Sequence, residues 1–397
     1  MNFDLNIDRT ETSSLKWDHV HTIFGVTDAL PLWVADMDFA APPAVIQAMH
    51  DRVDHGVFGY TLPSQNYLEA VCGWMKSRHQ WSIKPEWIQF CPGVVPALSM
   101  LVSSLTEPGD GVVIQTPVYP PFYRVVKDQG RELIENVLVQ DEDGRYDIDF
   151  EDLERCLAAE RTKMIILCSP HNPVGRVWKR EELSRIAELC QQHDVLVVSD
   201  EIHADLVFEP GAHTPFAALS EDAAQRSIIC TAPSKTFNIA GLNTANLIIP
   251  NDSLKRKFAK TLETFAMGAI TPLGAAATEA AYREGGEWLD ALLTYVRGNM
   301  EYVRDYIAEH TPEVKVWLPE ATYLLWLDFR ALGLPDKELS KFLVEDAKLG
   351  LNNGASFGTV GDGFMRMNVA CTSATLQEAM RRLEEALSRR RTEAAGS

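Results

Sequence analysis

No apolar run in the chain approaches the ~20 residues needed to cross a bilayer. The first residues, MNFDLNIDRTETSS, carry acids where a secretory leader would carry a basic stretch and then an apolar one. No C-x-x-C pair occurs among the seven cysteines, Cys72, Cys91, Cys156, Cys168, Cys190, Cys230 and Cys371, and several lie inside apolar runs such as MIILC and SIIC. That pattern argues against a disulfide framework or a zinc cluster and for reduced thiols in the cytoplasm. Positive charge is short as well: 37 Lys and Arg face 56 Asp and Glu, a formal net charge of -19. The overall field repels phosphate backbones and anionic lipid, so neither nucleic acid nor a membrane is an expected partner. A local basic pocket can still hold one small phosphate group.

What is present describes a globular chain. Its 397 residues, 46% hydrophobic and 23% charged, suit one large domain and a smaller one. From about residue 50 to 250, apolar runs alternate with amphipathic stretches: WIQF, GVVIQ, MIILC, VLVVSD, SIICTA and ANLIIP. Such runs lack polar alternation, as strands covered on both faces do, and predict a mainly parallel sheet in an α/β layered domain. Between them EELSRIAELCQQH (181–193) spaces its apolar residues as a helix does. After about residue 285 the pattern changes to a long helix over 287–310, two strand-like runs (VKVWLP and TYLLWLDF), the short run FMRMNVA and a closing helix over 373–391. These predict a smaller α+β domain over 286–397, a large domain over 49–285, and an arm over 1–48 that packs with the small domain. The tail RRRTEAAGS reads as a frayed end.

In an open parallel sheet a ligand sits beyond the carboxyl ends of the strands, so the polar residues that follow the apolar runs matter most. After WIQF comes CPGVVPALSM, a glycine turn entering a helix, with Pro96 placed early, where amides lack partners anyway. Free amides at Gly93, Val94 and Val95 and the helix dipole would cradle a phosphate. Taken alone, a plain strand-to-helix turn is the simpler account. After GVVIQ comes TPVYPPF, whose prolines fix where Tyr119 points, either onto a flat ring or into ordinary packing. After MIILC comes SPHNPVGR, in which the Asn172 amide either donates to a phenolic oxygen or closes a turn.

After VLVV comes SDEIHADL. Asp200 ends a strand expected to be central, and a carboxylate there is costly unless paired. A cofactor's pyridinium nitrogen would serve; so would a structural salt bridge or a helix cap, the reading given to Glu201 and Asp205. His203 either reaches a ring oxygen or is a polar core histidine. Finally, SIICTAPSKTFNIAGL sets Lys235 just past another strand, among Ser234, Thr236 and Asn238. Most lysines are solvated surface groups. One held beside a cationic ring and a phosphate has a lowered pKa, which an imine-forming amine and a base at carbon both require.

In their order of phosphate turn, Tyr, HNPxG, strand-end Asp and SK, these segments resemble the fold-type I pyridoxal phosphate enzymes of the aspartate aminotransferase superfamily. Within it, PLWVADMDF (31–39), FGYT (58–61), SDEIHADL and APSKTFNIAGL resemble the MalY/PatB group of cystathionine β-lyases. The resemblance implies the PLP-dependent transferase fold and pyridoxal 5'-phosphate carried as an imine on Lys235. It implies that Asp200 pairs with the ring nitrogen, that Asn172 and His203 lie near the ring oxygen, and that Tyr119 stacks on the ring. Val94, Val95 and Ser234 would serve the phosphate. Tyr60 would reach that phosphate from the neighbouring subunit of a homodimer, Arg366 would bind the substrate α-carboxylate, and Trp33 would line the substrate entrance. No metal is implied. The chain departs from many aminotransferases in carrying His203 where they have Tyr, and Asn243 where they have an Arg eight residues after the lysine. Both departures fit the lyase group.

The implied activity is α,β-elimination of L-cystathionine, and of other cysteine S-conjugates, to a thiol, pyruvate and ammonia, as in methionine biosynthesis. Two other readings stand beside it: an amino-acid aminotransferase, which would use nearly the same residues, and a regulatory protein-binding role.

Overall fold

A computed structural model describes residues 1–395. Its centre is a seven-stranded sheet of β1 (Ile88–Cys91), β2 (Gly111–Thr116), β3 (Glu132–Val137), β4 (Thr162–Cys168), β5 (Leu196–Asp200), β6 (Ser227–Thr231) and β7 (Ala245–Ile248). The spatial order is β1-β7-β6-β5-β4-β2-β3. The pairings from β3 through β6 are parallel, and β7 runs antiparallel to both its neighbours. The six apolar runs are strands of this sheet, and their lack of polar alternation has its cause in two cores. Met164, Ile166, Val198 and Ile228 pack on one face with the helix Val94–Leu105, while Ile165, Leu167, Val197 and Ile229 pack on the other. A strand turns successive side chains to opposite faces, so both sets must be apolar. Truncating one such residue, Leu167→Ala for instance, removes about 2–5 kcal/mol.

The helix expected over 181–193 is Arg180–Gln192, which buries Leu183, Ile186, Leu189 and Cys190. The Glu182 carboxylate accepts the Lys179 amide at 2.6 Å, so one of the orphan donors at the helix start is satisfied. The long helix is Gly286–His310. Beyond it lies a four-stranded antiparallel sheet of β8 (Lys315–Val316), β9 (Leu324–Asp328), β10 (Asn352–Asn353) and β11 (Phe364–Asn368), in the order β8-β9-β11-β10. The closing helix runs from Ser373 to Ala395, longer than expected. The basic tail read as a frayed end is helical as far as Ala395, and residues 396 and 397 lie outside the described residues.

The first forty residues are tied to both sheets. Leu30–Pro31 pairs in parallel with Leu349–Gly350, and Phe3 packs edge-on against Phe39 and Trp288. The segment from Trp33 to Phe39 is clamped largely through its carbonyls. Asn368 on β11 donates to the carbonyls of Val34 and Asp36, each at 2.6 Å. Asn238, three residues past Lys235, donates to those of Met37 and Phe39 at 3.0 and 2.7 Å. Lys16, fully buried, pairs with Asp38 at 2.8 Å, and Arg9 joins Asp38 and Asp36 at 2.7 Å each. This strap joins the end of β11 to the segment that follows β6. Among the described residues, no helix is long and apolar enough to cross a membrane.

Candidate functional site

The carboxyl ends of the central strands open into a cavity of about 220 Å³. Gly93, Val94, Val95, Tyr119, Asn172, Asp200, His203, Ser234 and Lys235, all singled out in the sequence, line it together. They arrive from five separate strand ends or the turns after them. β5 delivers Asp200 on the same face as Val198, toward the helix Val94–Leu105. The first turn of that helix sets Val94 and Val95 at the cavity wall, so two of the amides without intrahelical partners and the positive end of the dipole face the space. Lys235 sits in the single helical turn Pro233–Thr236 that follows β6.

Electrostatics single out three of these side chains. Asp200 is buried, forms no ion pair among the described residues, and accepts one backbone amide, that of Ile202 at 3.1 Å. Burial pushes its carboxyl up to about 7; the Ile202 amide and Lys235 pull against the rise, and Glu201 adds to it. Burial, helped by the Arg366 guanidinium, draws the Lys235 amine down to about 8. His203 is driven to about 3 by burial and by the cations Lys235 and Arg366, so its ring is neutral at physiological pH. Its Nδ1 is buried without a partner. A buried carboxyl lacking a counter-ion, an orphaned ring nitrogen and an amine with a lowered pKa are mutually incomplete. A protonated pyridine opposite Asp200, with its oxygen toward His203 and Asn172, an aldehyde at Lys235 and a phosphate at the amides of Val94 and Val95, would complete them. The residues present therefore fit pyridoxal phosphate.

Three expected residues lie outside this lining. Arg366, on β11, is buried at the rim: its Nη1 donates to Asn172 Oδ1 at 3.0 Å, and its Nη2 donates to Asn352 Oδ1 at 2.6 Å and to the Trp33 carbonyl at 3.1 Å. Its Nε is buried and unpartnered. Trp33 therefore touches Arg366 through its backbone, while its ring packs edge-on against Phe24. Tyr60 is fully exposed, away from the cavity of its own chain.

Other participants went unnoticed in the sequence. The Ala35 carbonyl accepts the Lys235 ammonium at 2.5 Å and the Tyr323 hydroxyl at 2.9 Å. Ala35 lay within PLWVADMDF, but a backbone acceptor leaves no residue-type signal. Tyr323 was read only as part of a strand-like run. Cys168, at the end of β4, lines the cavity because it shares the face of Met164 and Ile166. Strand periodicity could have found it.

A model of the aminotransferase class I and II family matches residues 27–383. The chain is 51% identical over 388 residues to cystathionine beta-lyase PatB of Bacillus subtilis, covering 98% of this chain and all of that protein. Protein MalY of Escherichia coli is 36% identical, over 97% of this chain and 98% of its own. Among solved structures, cystalysin from Treponema denticola, which contains a pyridoxal 5'-phosphate cofactor, is 41% identical with a TM-score of 0.95 over 98% of each chain. The PLP-bound C-S lyase from Staphylococcus hominis is 33% identical with a TM-score of 0.91, again over 98% of each.

Proposed function

The chain belongs to the aminotransferase class I and II family, and from that premise we propose that it is a pyridoxal phosphate-dependent carbon-sulfur β-lyase. It takes L-cystathionine and, by the same chemistry, other cysteine S-conjugates. The observation that carries the reading is the buried, unpaired Asp200 carboxyl sharing one cavity with the lowered Lys235 amine. The full-length likeness to cystathionine beta-lyase PatB supplies the reaction type. Cystathionine and water give homocysteine, pyruvate and ammonia, with no oxidant or reductant required.

When bound, pyridoxal phosphate supplies an aldehyde that captures amines and a protonated ring that accepts the electron pair left at the substrate α-carbon. Asp200 keeps the ring nitrogen protonated. Lys235 would hold the cofactor and, as a neutral amine, would take the α-proton of the substrate. Expulsion of the thiolate from the β-carbon follows. The Arg366 guanidinium, cationic at neutral pH, holds the substrate carboxylate. Asn172 couples the two, because its Oδ1 is fixed by Arg366 and its amide hydrogens are left for the ring oxygen. Neutral His203 would serve that oxygen, Tyr119 would stack on the ring, and Gly93, Val94, Val95 and Ser234, which line the same cavity, would take the phosphate. In this reading residues 49–285 carry the cofactor, while the arm and residues 286–397 carry the substrate carboxylate, with Trp33 at the entrance.

The working unit is a homodimer. Val53, Val57, Phe58, Tyr60, Leu62, Phe265 and Met267 are all exposed on the single chain, an apolar set that a second copy would cover. Tyr60 would then lie at the partner's phosphate site. A sedimentation mass of one chain at micromolar concentration would remove this part of the proposal. Seven unpaired cysteines, five of them buried, support a reducing compartment, the cytoplasm.

The decisive assay measures pyruvate and free thiol from cystathionine, against new amino acid formed from an added keto acid. Elimination should dominate, and Lys235→Ala should abolish both it and the cofactor's protein-bound visible absorption. Keto-acid amination as the main reaction would assign an aminotransferase instead. Persistence of turnover in Lys235→Ala would remove Lys235 from its role.

A further inference from the structure

Lys235 points into the cavity, but the residue after it is anchored on the other side of the sheet. The Thr236 hydroxyl, completely buried, donates to Asp205 Oδ2 at 2.7 Å. The other oxygen of Asp205 accepts Trp74 Nε1 at 2.9 Å and lies 2.7 Å from His79 Nε2. Burial works to raise the Asp205 carboxyl, yet the hydrogen bond and charge of His79 and the hydrogen bonds of Thr236 and Trp74 hold it below the ordinary carboxylate range. Trp74 and His79 belong to one helix, Gln65–His79, and Trp74 is further packed against Phe237 and Tyr282. Asp205 is therefore a fixed, ionised acceptor rooted in the core. The four-residue helix carrying Lys235 is too short to hold itself in place. Past it, Asn238 adopts φ +55° and ties the chain to the Met37–Phe39 segment.

We propose that Thr236, anchored on the Asp205–His79–Trp74 cluster, is a positioning residue for Lys235, fixing the turn that aims the amine into the cavity. The inference rests on the reading that Lys235 captures the cofactor. Loss of the hydroxyl would leave the chain intact but free the turn to shift, and displacements of the order of an ångström at a reacting group cost rate steeply. The lysine's own contact with the Ala35 carbonyl fixes only the end of its side chain.

The test compares Thr236→Val, Thr236→Ala and Thr236→Ser in the full-length protein. The rate at which cofactor-free protein captures pyridoxal phosphate is followed by absorbance, and the adduct on Lys235 is located by mass spectrometry after borohydride reduction. Capture should be on the order of tenfold slower in the Val and Ala proteins and within about twofold of the parent in Ser, which restores the donor. Melting temperatures of the Val and Ser proteins should differ too little for unfolding at the assay temperature to account for the loss. Capture at the parental rate in Val and Ala, a Ser protein as slow as Val, or a loss confined to Val would each overturn the inference alone. An adduct formed elsewhere than on Lys235 in the parent would overturn the underlying reading along with it.

Discussion

Asp200 ends β5, and Glu201 just beyond it continues the extended alternation. The Glu201 amide is bonded to the Cys230 carbonyl and its carboxylate lies beside Ser199, so the two carboxylates face opposite sides of the sheet. On the cavity face Asp200 has one backbone amide and no cation bound to it, and its carboxyl rises to about 7. On the other face Glu201 accepts the Ser199 hydroxyl and the Phe216 amide at 2.9 Å each, and pairs with His213 at 3.0 Å. Asp205 on that side also has three partners. The two faces bury carboxylates equally deeply, but only one completes their bonding from within the chain. A fold that can satisfy Glu201 and Asp205 so fully leaves Asp200 bare where something else must meet it. The cavity face is thus built for a ligand, and the opposite face is built for holding.

The comparison breaks most visibly at Asp200. Asp200→Asn should lower kcat for cystathionine cleavage on the order of a thousandfold, the scale of losing a dedicated electrostatic partner at a reacting centre. The same change should stabilise the cofactor-free protein. With its carboxyl raised from 3.8 to about 7, the folded chain keeps a proton that the unfolded chain has released, so stability falls as pH rises through that window. Above it the Asn protein lacks this penalty and should melt at a higher temperature than the parent without cofactor. A lower melting temperature at pH 8 would show that Asp200 is structural after all.

Glu201→Ala should do the reverse. It strands the buried donors of Ser199, His213 and the Phe216 amide and should cost about 3 kcal/mol in urea unfolding. Turnover per folded molecule should fall far less than in Asp200→Asn. If Glu201→Ala lost activity as heavily as Asp200→Asn while keeping its stability, the division between the faces would fail.

The sequence carried much of this, and in a particular way. Strand ends were legible because doubly covered strands leave uninterrupted apolar runs, and the polar residues after them mark the cavity rim; that is why Asp200, Asn172 and Lys235 could be picked out before any contact was known. The opposition of Asp200 and Glu201 follows from the same periodicity. The partners were not legible. Nothing in SDEIHADL says that Asp205 meets Trp74, His79 and Thr236, separated from it by 131, 126 and 31 positions. The Ala35 carbonyl escaped because every residue has one. The last turns of the closing helix escaped because their basic, polar sequence gives no apolar stripe to continue.

The smallest expected effect is also the one that most directly probes the cavity face. Lys235 captures an aldehyde only as a neutral amine, and burial with the Arg366 charge brings that amine down to about 8. The rate of pyridoxal phosphate capture by cofactor-free protein should therefore climb with pH and level off above about 8, rather than continue to the ordinary lysine value of 10.5. Two substitutions should move the midpoint in opposite directions. Arg366→Leu removes the neighbouring cation that disfavours the ammonium, so the midpoint moves up. Asp200→Asn removes an anion that favours it, so the midpoint moves down, and by less, because Asp200 is the weaker influence on Lys235. Glu201 faces away and should leave the midpoint in place. A profile that ignored Arg366 and Asp200 but followed Glu201 would mean that the amine reads charge from the wrong side of the sheet.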